Sequence, residues 1–572
     1  ACDDFARMFK NHPKGLPVLF FTEMWERFGF YLMLGIFVLY MTDTNPEKSG
    51  LGFGEPEAYD IYGTYLALVY LTPFVGGLLA DRVLGYRKAI FIGGILMGLG
   101  YLGLALPVSA GGSMATFWGA LALIIVGNGF FKPNISTLVG NLYSKPEYRS
   151  YKDAGFSIFY MGINIGAFVC NFVAAYLRNK YDWGYAFAAA GIGMFVGLIW
   201  FAFGQKHTAE ADVLRPVREG DIPTGKILGL VFIPAFIFGA LGWFLPGLLG
   251  MESFIGSKSN DAFLFACVPV TYYYVSLWAR APKDEKGPIG ALLSIMGVVV
   301  VFWAVFHQNG SALTVWARDY TNREMPAAMV GLGDTLGMVE VVDTSERAVT
   351  KLDLHGAPIL DDKGEKITEM GPDPYFRNLA KERWPSEPAR PGASAPGLNL
   401  ISTELFQSIN PFCIVWVTPL VVAAFAWLRR RRAEPSTPGK ISLGLFITGL
   451  STLVMVAAVF AGGNGATKIS GMWLVSSYMV VTVGELCLSP MGLSLVSKLS
   501  PPRITALMMG GWFLSTAIGN KLSGLLSGLW GIYEHKATFF MINFAACVVA
   551  AGAIYLMLPR LKRVMREHLG EE

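Results

Sequence analysis

Fourteen long apolar segments, separated by short polar stretches, make up most of the sequence. Each segment is long enough to cross the hydrocarbon core of a bilayer as a helix, which takes about 20 residues. Because a helix satisfies its own backbone hydrogen bonds in lipid, the pattern predicts an all-α polytopic membrane protein. The segments lie at about residues 17–41, 58–80, 89–107, 114–142, 154–178, 183–204, 226–247, 261–280, 286–317, 404–428, 440–461, 470–497, 502–530 and 538–559.

The segments are grouped as six, two and six, with one polar insertion in the last group. The predicted domains are an N-terminal six-helix bundle (1–204), two extra transmembrane helices with linkers (205–285), and a C-terminal six-helix bundle (286–317 and 403–572) around the insertion (318–402). An even number of spans places both termini on one side. With the insertion left aside, Lys and Arg number roughly 27 on that side and roughly 6 on the other, which predicts cytoplasmic termini and an outer insertion.

The insertion has a pattern of its own. Residues 352–370 alternate apolar and polar side chains around Asp362-Lys363-Gly364, which predicts a β-hairpin. Residues 374–384 are predicted to form a short helix, and the Pro-rich stretch 385–396 a linker. The insertion is therefore expected to be a small ordered α+β or β cap, and its composition identifies no ligand.

The first apolar segment contains Glu23, Glu26 and Arg27. On a helix these side chains share a stripe of roughly 140° with Tyr31 and Leu34, so they can face one cavity. A charge at the bilayer centre costs about 2.5–3.5 kcal/mol, so such a stripe indicates a substrate or ion pathway. The alternative is an internal pair of Glu23 with Arg27, which leaves Glu26 to find a partner on another helix.

Three other polar residues lie deep in apolar segments. Lys132 precedes Pro133 and needs a counter-ion or a water-filled cavity, and Glu26 is the candidate counter-ion. Glu485 lies in the middle of segment 470–497. His307 is the only histidine within a predicted span and can titrate near neutral pH.

Composition narrows the function classes further. The chain is 53% hydrophobic and 15% charged, and its net charge of +4 gives no reason to expect a nucleic-acid partner. The six cysteines lack CxxC spacing, so neither a zinc site nor a disulfide framework is expected. No nucleophile constellation or cofactor loop is present, which argues against an enzyme, and no Walker motif supports an ATP-driven transporter.

Four motifs carry a resemblance to a known family. The run from Glu23 to Phe28, EMWERF, with Tyr31 resembles the ExxERFxYY signature of proton-coupled oligopeptide transporters (POT/PTR), a branch of the major facilitator superfamily. The stretch 156–168, FSIFYMGINIGAF, resembles the FxxFYxxINxG signature of the same family, and GELCLSPMGLS around Glu485 matches it almost letter for letter. The loop GGLLADRVLGYRKA resembles the superfamily's loop motif, which implies a gating role for Asp81 and Arg82.

The resemblance implies the major facilitator fold and proton-driven symport of di- and tripeptides by alternating access. It places the protein as a monomer in the bacterial inner (plasma) membrane, with the proton gradient as its energy source and no cofactor. The peptide carboxylate is expected at Arg27 and Lys132, and the peptide amino group at Glu485. The other positions that match the family's binding site are Tyr31, Tyr70, Asn164, Trp303, Asn410 and Trp512. For Asn164, a helix-to-helix hydrogen bond is an equal alternative.

The sequence departs from the family at positions that concern the proton. The family usually has a basic residue where this chain has Leu34, and a glutamate where it has His307; losing both together avoids an unpaired charge. Proton coupling is therefore assigned to His307 together with Glu23, Glu26 and Arg27, although a neutral His307 in a helix interface is the alternative. Where animal members have a histidine, this chain has Gly63, so that proton route is not expected.

Two other functions are compatible with the same helices. One is a proton-coupled transporter of nitrate or another small anion, against which the retained Glu485 argues. The other is a peptide sensor that binds its ligand with the insertion at residues 318–402.

Overall fold

The computed structural model describes residues 9–45, 47–106, 113–213, 225, 228–352, 359–361, 367–385, 397–501 and 504–569. Long helices dominate it, and thirteen of those in the described part are long and apolar enough to cross a membrane. The prediction of an all-α polytopic membrane protein is thus confirmed. The helices of the N-terminal half are α1 (Gly15–Thr42), α2 (Glu55–Leu79), α3 (Tyr86–Leu104), α4 (Met114–Leu142), α5 (Lys152–Lys180) and α6 (Trp183–Gly204).

The extra pair and the C-terminal half follow along the chain. The extra pair is α7 (Ile233–Leu248) and α8 (Lys258–Arg280). The helices of the C-terminal half are α9 (Lys283–Phe306), α10 (Ala312–Asp319), α12 (Ile409–Arg430), α13 (Thr437–Ala461), α14 (Met472–Leu499), α15 (Thr505–Gly528) and α16 (Lys536–Leu569). The segment predicted at 286–317 is not one continuous α-helix, because a 3₁₀ turn at His307–Gly310 separates α9 from α10.

The two halves meet most closely along α2 and α15. Gly63 of α2 and Gly524 of α15 allow the backbones to touch, since a Cβ at Gly63 would lie 2.8 Å from the Cα of Gly524. The contact leaves no space for a histidine side chain at this position. Within the halves, α1 packs on α5 and α6, and α13 packs on α14 and α16.

The insertion contains one short helix, α11 (Ala327–Thr335), and small strands. The strands are β1 (Thr321–Asn322), β2 (Val339–Val342), β3 (Arg347–Thr350), β4 (Thr368–Gly371) and β5 (Leu398–Ile401), and β6 (Ile469–Ser470) lies between α13 and α14. Strand β2 pairs antiparallel with β5, β3 antiparallel with β4, and β1 parallel with β6. The side of the molecule that carries this segment is called the insertion side below.

Two predictions for the insertion need correction. The hairpin exists, but its paired strands are β3 and β4, so its first strand begins before residue 352. Its predicted turn, Asp362 to Gly364, and nearly all of the predicted linker at 385–396 lie outside the described residues. The stretch 374–384, predicted as one short helix, is broken in two. The backbone forms two 3₁₀ turns there, because Leu379 is extended and places its side chain against Phe376 in the core of the insertion.

The insertion is attached differently to the two halves. Main-chain pairing of β1 with β6 joins it to the C-terminal half, and the backbone N–H of Lys468 donates to the carbonyl of Asn378. Side chains join it to the N-terminal half. Asn179 at the end of α5 donates to the carbonyl of Val339 at 3.0 Å, and the Thr350 hydroxyl donates to the carbonyl of Thr44 at 2.7 Å.

Candidate functional site

One guanidinium holds both carboxylates of α1. Arg27 lies 3.2 Å from Glu23 through Nε and Oε1, and it donates to both carboxylate oxygens of Glu26, with Nη2 to Oε1 at 2.7 Å. All three side chains are buried, because α1 is packed between α5 and α6. The cation that pairs with Glu26 therefore lies on its own helix and not, as was expected, on another one, and Asn128 of α4 adds a hydrogen bond to Glu26 at 3.4 Å. A buried trio of this kind is stable only while the arginine is present.

Lys132 on α4 is held by an aromatic ring. Its Nζ lies 3.9 Å from the ring centroid of Tyr70 on α2, within the range of a cation–π interaction. No carboxylate in the described part of the chain lies within ion-pair distance of Lys132, so the expected pair with Glu26 is not formed. The reason is that Arg27 already occupies both Glu26 oxygens. The ammonium charge of Lys132 is thus left for another partner.

The C-terminal half contributes a single carboxylate. Glu485 on α14 accepts a hydrogen bond of 2.9 Å from the side-chain amide of Asn410 on α12, which also donates to the Thr482 hydroxyl at 3.0 Å. Over the residues that the structure describes, no cation lies within ion-pair distance of Glu485. The carboxylate faces the other half, since it lies within electrostatic range of Tyr31 and Tyr70.

Aromatic rings connect the two halves. His307 stacks on Trp303, with centroids 5.3 Å apart, and its ring also lies 5.8 Å from that of Tyr70. Because Tyr70 also contacts Lys132, these residues form a continuous row from α4 across α2 to α9. His307 Nδ1 and Trp303 Nε1 are buried and have no hydrogen-bond partner among the described residues. The imidazole therefore retains an unused nitrogen in this row.

The predicted site residues differ in how accessible they are. Eight of them are deep in the membrane segments yet only partly buried: Tyr31, Tyr70, Lys132, Asn164, Trp303, His307, Asn410 and Glu485. Trp512 is fully buried, with its ring against Gly492. Asn164 donates to the carbonyl of Tyr160 at 2.9 Å within its own helix, so it forms no helix-to-helix bond.

The predicted gating residues lie in one irregular turn. Asp81 and Arg82 belong to a π-helical turn, Ala80–Leu84, that continues α2. The turn ends at Gly85, whose φ of +79° favours glycine. Next to it, Asp212 accepts from the backbone N–H of Tyr86 at 2.7 Å and from Arg87 at 2.8 Å. These contacts fix the loop between α2 and α3.

A buried lysine that the sequence analysis missed joins three helices. Lys521 on α15 lies 2.6 Å from Asp60 on α2 and donates at 2.7 Å to Thr64 and to Ser259 of α8. The cluster therefore ties the extra helix pair to both halves. The rule that drew attention to Lys132, a lysine inside an apolar segment, also applies to Lys521 and could have identified it.

Further ion pairs close the insertion side between the halves. Arg178 of α5 contacts both oxygens of the fully buried Glu404, at 3.0 and 3.2 Å. Arg178 also lies 3.5 Å from Glu340 of β2, which pairs with Arg323 at 2.8 Å. Burial alone raises the pKa of Glu340, but the two arginines lower it to about 2. Arg318 of α10 adds a pair with Glu55 of α2 at 3.1 Å.

Two helix bundles that carry charged side chains within their membrane segments, and that ion pairs join on the insertion side, define a secondary transporter of the major facilitator type. No group of three or more His, Cys, Asp or Glu side chains in the described residues is placed to hold a metal ion.

The chain belongs to the POT family. It matches the family model described as POT family (PTR2) over residues 87–342 and 394–539. It is 32% identical to the "Uncharacterized transporter YclF" of Bacillus subtilis, over 98% of this chain and 96% of the relative. It is 29% identical to a di-/tripeptide transporter of Lactococcus lactis subsp. lactis, over 97% of each chain.

Solved structures of this family have the same fold. A crystal structure of a peptide transporter POT in complex with sulfate matches with a TM-score of 0.72 and 31% identity, over 97% of this chain and 96% of that one. A POT family transporter in complex with 5-aminolevulinic acid matches with a TM-score of 0.73 and 25% identity, over 97% and 98%.

Proposed function

We propose that the protein is a proton-driven symporter of di- and tripeptides. The observation that carries the proposal is the placement of unmatched charges in opposite halves, Lys132 beside Arg27 in one and Glu485 in the other. A peptide has a carboxylate and an ammonium group at its two ends. It can therefore supply both missing partners at once and draw the halves together, as alternating access requires. The relatives described as peptide transporters support this assignment.

Proton coupling is assigned to the charged residues of α1 and to His307. Coupling requires that protonation and peptide binding favour the same conformation, because a ligand with equal affinity for both shifts nothing. His307 is suitable, since it lies in the aromatic row that joins Lys132 to α9 and so touches both halves. The orientation proposed has the termini in the cytoplasm and the insertion side outside, in a bacterial inner membrane, with the protein acting as a monomer.

Peptide accumulation in proteoliposomes under an imposed inward proton gradient tests the function. We expect a labelled dipeptide to accumulate above its external concentration, and to stop doing so when an ionophore abolishes the gradient. Excess nitrate should not compete. Competition by nitrate without peptide accumulation would instead support the anion transporter.

The role of His307 is tested by His307→Gln, compared with Glu23→Gln and with His12→Gln as a control outside the membrane. We expect the His307 variant to lose the stimulation of uptake by external acid. It should retain peptide counterflow, which requires binding and alternating access but no net proton movement. Unchanged acid stimulation in this variant would refute the assignment.

A further inference from the structure

The short helix α11 of the insertion exposes an apolar face. Met329, Leu332 and Leu336 are 51%, 61% and 47% exposed. At 100° per residue, these three positions fall within a sector of about 60°. The sector is flanked by the side on which α11 packs, where Gly333 lies against Met325 and Val339. The exposed side chains of the apolar stripe are therefore not the ones that pack α11 against the rest of the insertion.

The polar residues of α11 point elsewhere. Asp334 is exposed and lies about 160° around the helix from Leu332. The segment 327–336 contains no Lys or Arg. The helix thus presents an apolar stripe and no basic face, which favours contact with the uncharged part of a bilayer over binding to anionic headgroups.

The end of α11 is fixed near the end of a membrane helix. Gly337 packs against Tyr176 of α5, and a Cβ at Gly337 would lie 2.8 Å from the Cα of Tyr176. Tyr176 is four residues before the end of α5, which is about 6 Å along the helix axis. It is exposed, as are Tyr181 and Tyr185 at the same end of the bundle. Exposed tyrosines at the ends of membrane helices mark the boundary between lipid and water.

We propose that α11 is an interfacial membrane anchor, with Met329, Leu332 and Leu336 inserted among the lipids on the insertion side. The apolar stripe is continuous with the lipid-facing surface of α5 through the contact between Gly337 and Tyr176. Helices of this kind bury their apolar faces about 5–10 Å into the boundary between headgroups and acyl chains, which matches the depth at which α11 ends. The insertion is thereby held at the bilayer as well as by the protein.

Spin labels attached to the full-length protein in liposomes test the proposal. The labels are placed at Leu332→Cys and, as the matched control on the opposite face of the same helix, at Asp334→Cys. The labelled wild-type protein supplies the background from the native cysteines. We expect the label at 332 to collide several-fold more with oxygen, which concentrates in lipid, than with a water-soluble nickel chelate. The label at 334 should show the reverse.

Three outcomes would overturn the anchor. Equal access of the nickel chelate to both labels would place the face in water. Shielding of the 332 label from both reagents would show that a protein surface, such as a second copy of this chain, covers it. A requirement for phosphatidylglycerol in phosphatidylcholine vesicles would show that charge recruits the helix. Both positions are exposed, so the substitutions should not disturb folding; Met329→Cys provides a second label on the apolar face.

Discussion

The two halves hold their buried charges in opposite ways. In the N-terminal half, Glu23 and Glu26 share Arg27, and the ammonium group of Lys132 lies over the ring of Tyr70. In the C-terminal half, Glu485 has the neutral amide of Asn410 as its partner and no cation within ion-pair distance in the described part of the chain. The carboxylates of the first half thus have a cation within their own helix, whereas the carboxylate of the second half needs a counterpart that a ligand must bring.

The largest effect is expected from removing the shared arginine. Arg27→Ala leaves two carboxylates buried without a cation, so it should abolish uptake and destabilise the protein by about 3–5 kcal/mol. Thermal unfolding of the purified protein and peptide uptake measure the two consequences. Arg27→Lys keeps the positive charge but not the guanidinium group that contacts both carboxylates, so it should be more stable than Arg27→Ala and less stable than the wild type. A variant with Ala at this position and normal stability would show that the trio is not held by the arginine.

The next largest effect is expected at Glu485. Glu485→Gln retains the shape and a hydrogen bond with Asn410 but removes the negative charge. A hydrogen bond to a charged group is worth about 1.5–3 kcal/mol, which corresponds to about a 10–100-fold weaker binding of the peptide ammonium. The Michaelis constant for a dipeptide should rise by that factor, while an N-acetylated dipeptide should be transported as weakly by the variant as by the wild type. Thermal stability should not change, in contrast to Arg27→Ala.

Lys132 gives a smaller effect that separates binding from folding. Lys132→Gln removes a cation that is held only by the Tyr70 ring, and such an interaction contributes about 0.5–2 kcal/mol. We expect about tenfold weaker uptake, because the peptide carboxylate loses a charged partner and 1.4 kcal/mol is tenfold, with a fall in melting temperature that is small compared with that of Arg27→Ala. A loss of stability as large as that of Arg27→Ala would mean that Lys132 stabilises the carboxylates of α1 and does not serve mainly to bind the ligand.

The smallest effect concerns Glu340. Whereas in α1 one arginine contacts two carboxylates, the carboxylate of Glu340 contacts two arginines. Its pKa lies near 2, below the ordinary value of 4.5, so it binds fewer protons in the folded than in the unfolded protein. The stabilisation is therefore complete above pH 4.5 and is lost as the pH falls from about 4.5 towards 2. The difference in melting temperature between the wild type and Glu340→Gln should shrink over this range. The exposed Glu369→Gln serves as the control and should show no such narrowing.

The membrane helices could be predicted from the sequence because each one must be a continuous apolar segment, which can be recognised without knowing its neighbours in the fold. The pairing of the strands could not, because β2 and β5 are separated by more than fifty residues and no local pattern relates them. The helix predicted at 374–384 failed for a tertiary reason, since burial of Leu379 requires an extended backbone there.

For the site, the sequence predicted which residues are charged and buried but not which of them pair. Neighbours along a helix do not face each other, so Glu26 and Arg27 were not expected to interact. Their long side chains bend towards each other nonetheless, and that removes the partner assigned to Lys132. The pairs Arg178 with Glu404 and Lys521 with Asp60 join helices far apart in the chain, so only the fold brings them together.

The unequal attachment of the insertion has a mechanical consequence. Its main-chain pairing with β6 attaches it to the C-terminal half. Its contacts with Asn179, Arg178 and Thr44 of the N-terminal half involve side chains, which can separate and form again during a transport cycle. When the two halves move apart on this side, the insertion must move together with the C-terminal half. Each such movement therefore requires the contacts of Asn179 and Arg178 with the insertion to break and to form again.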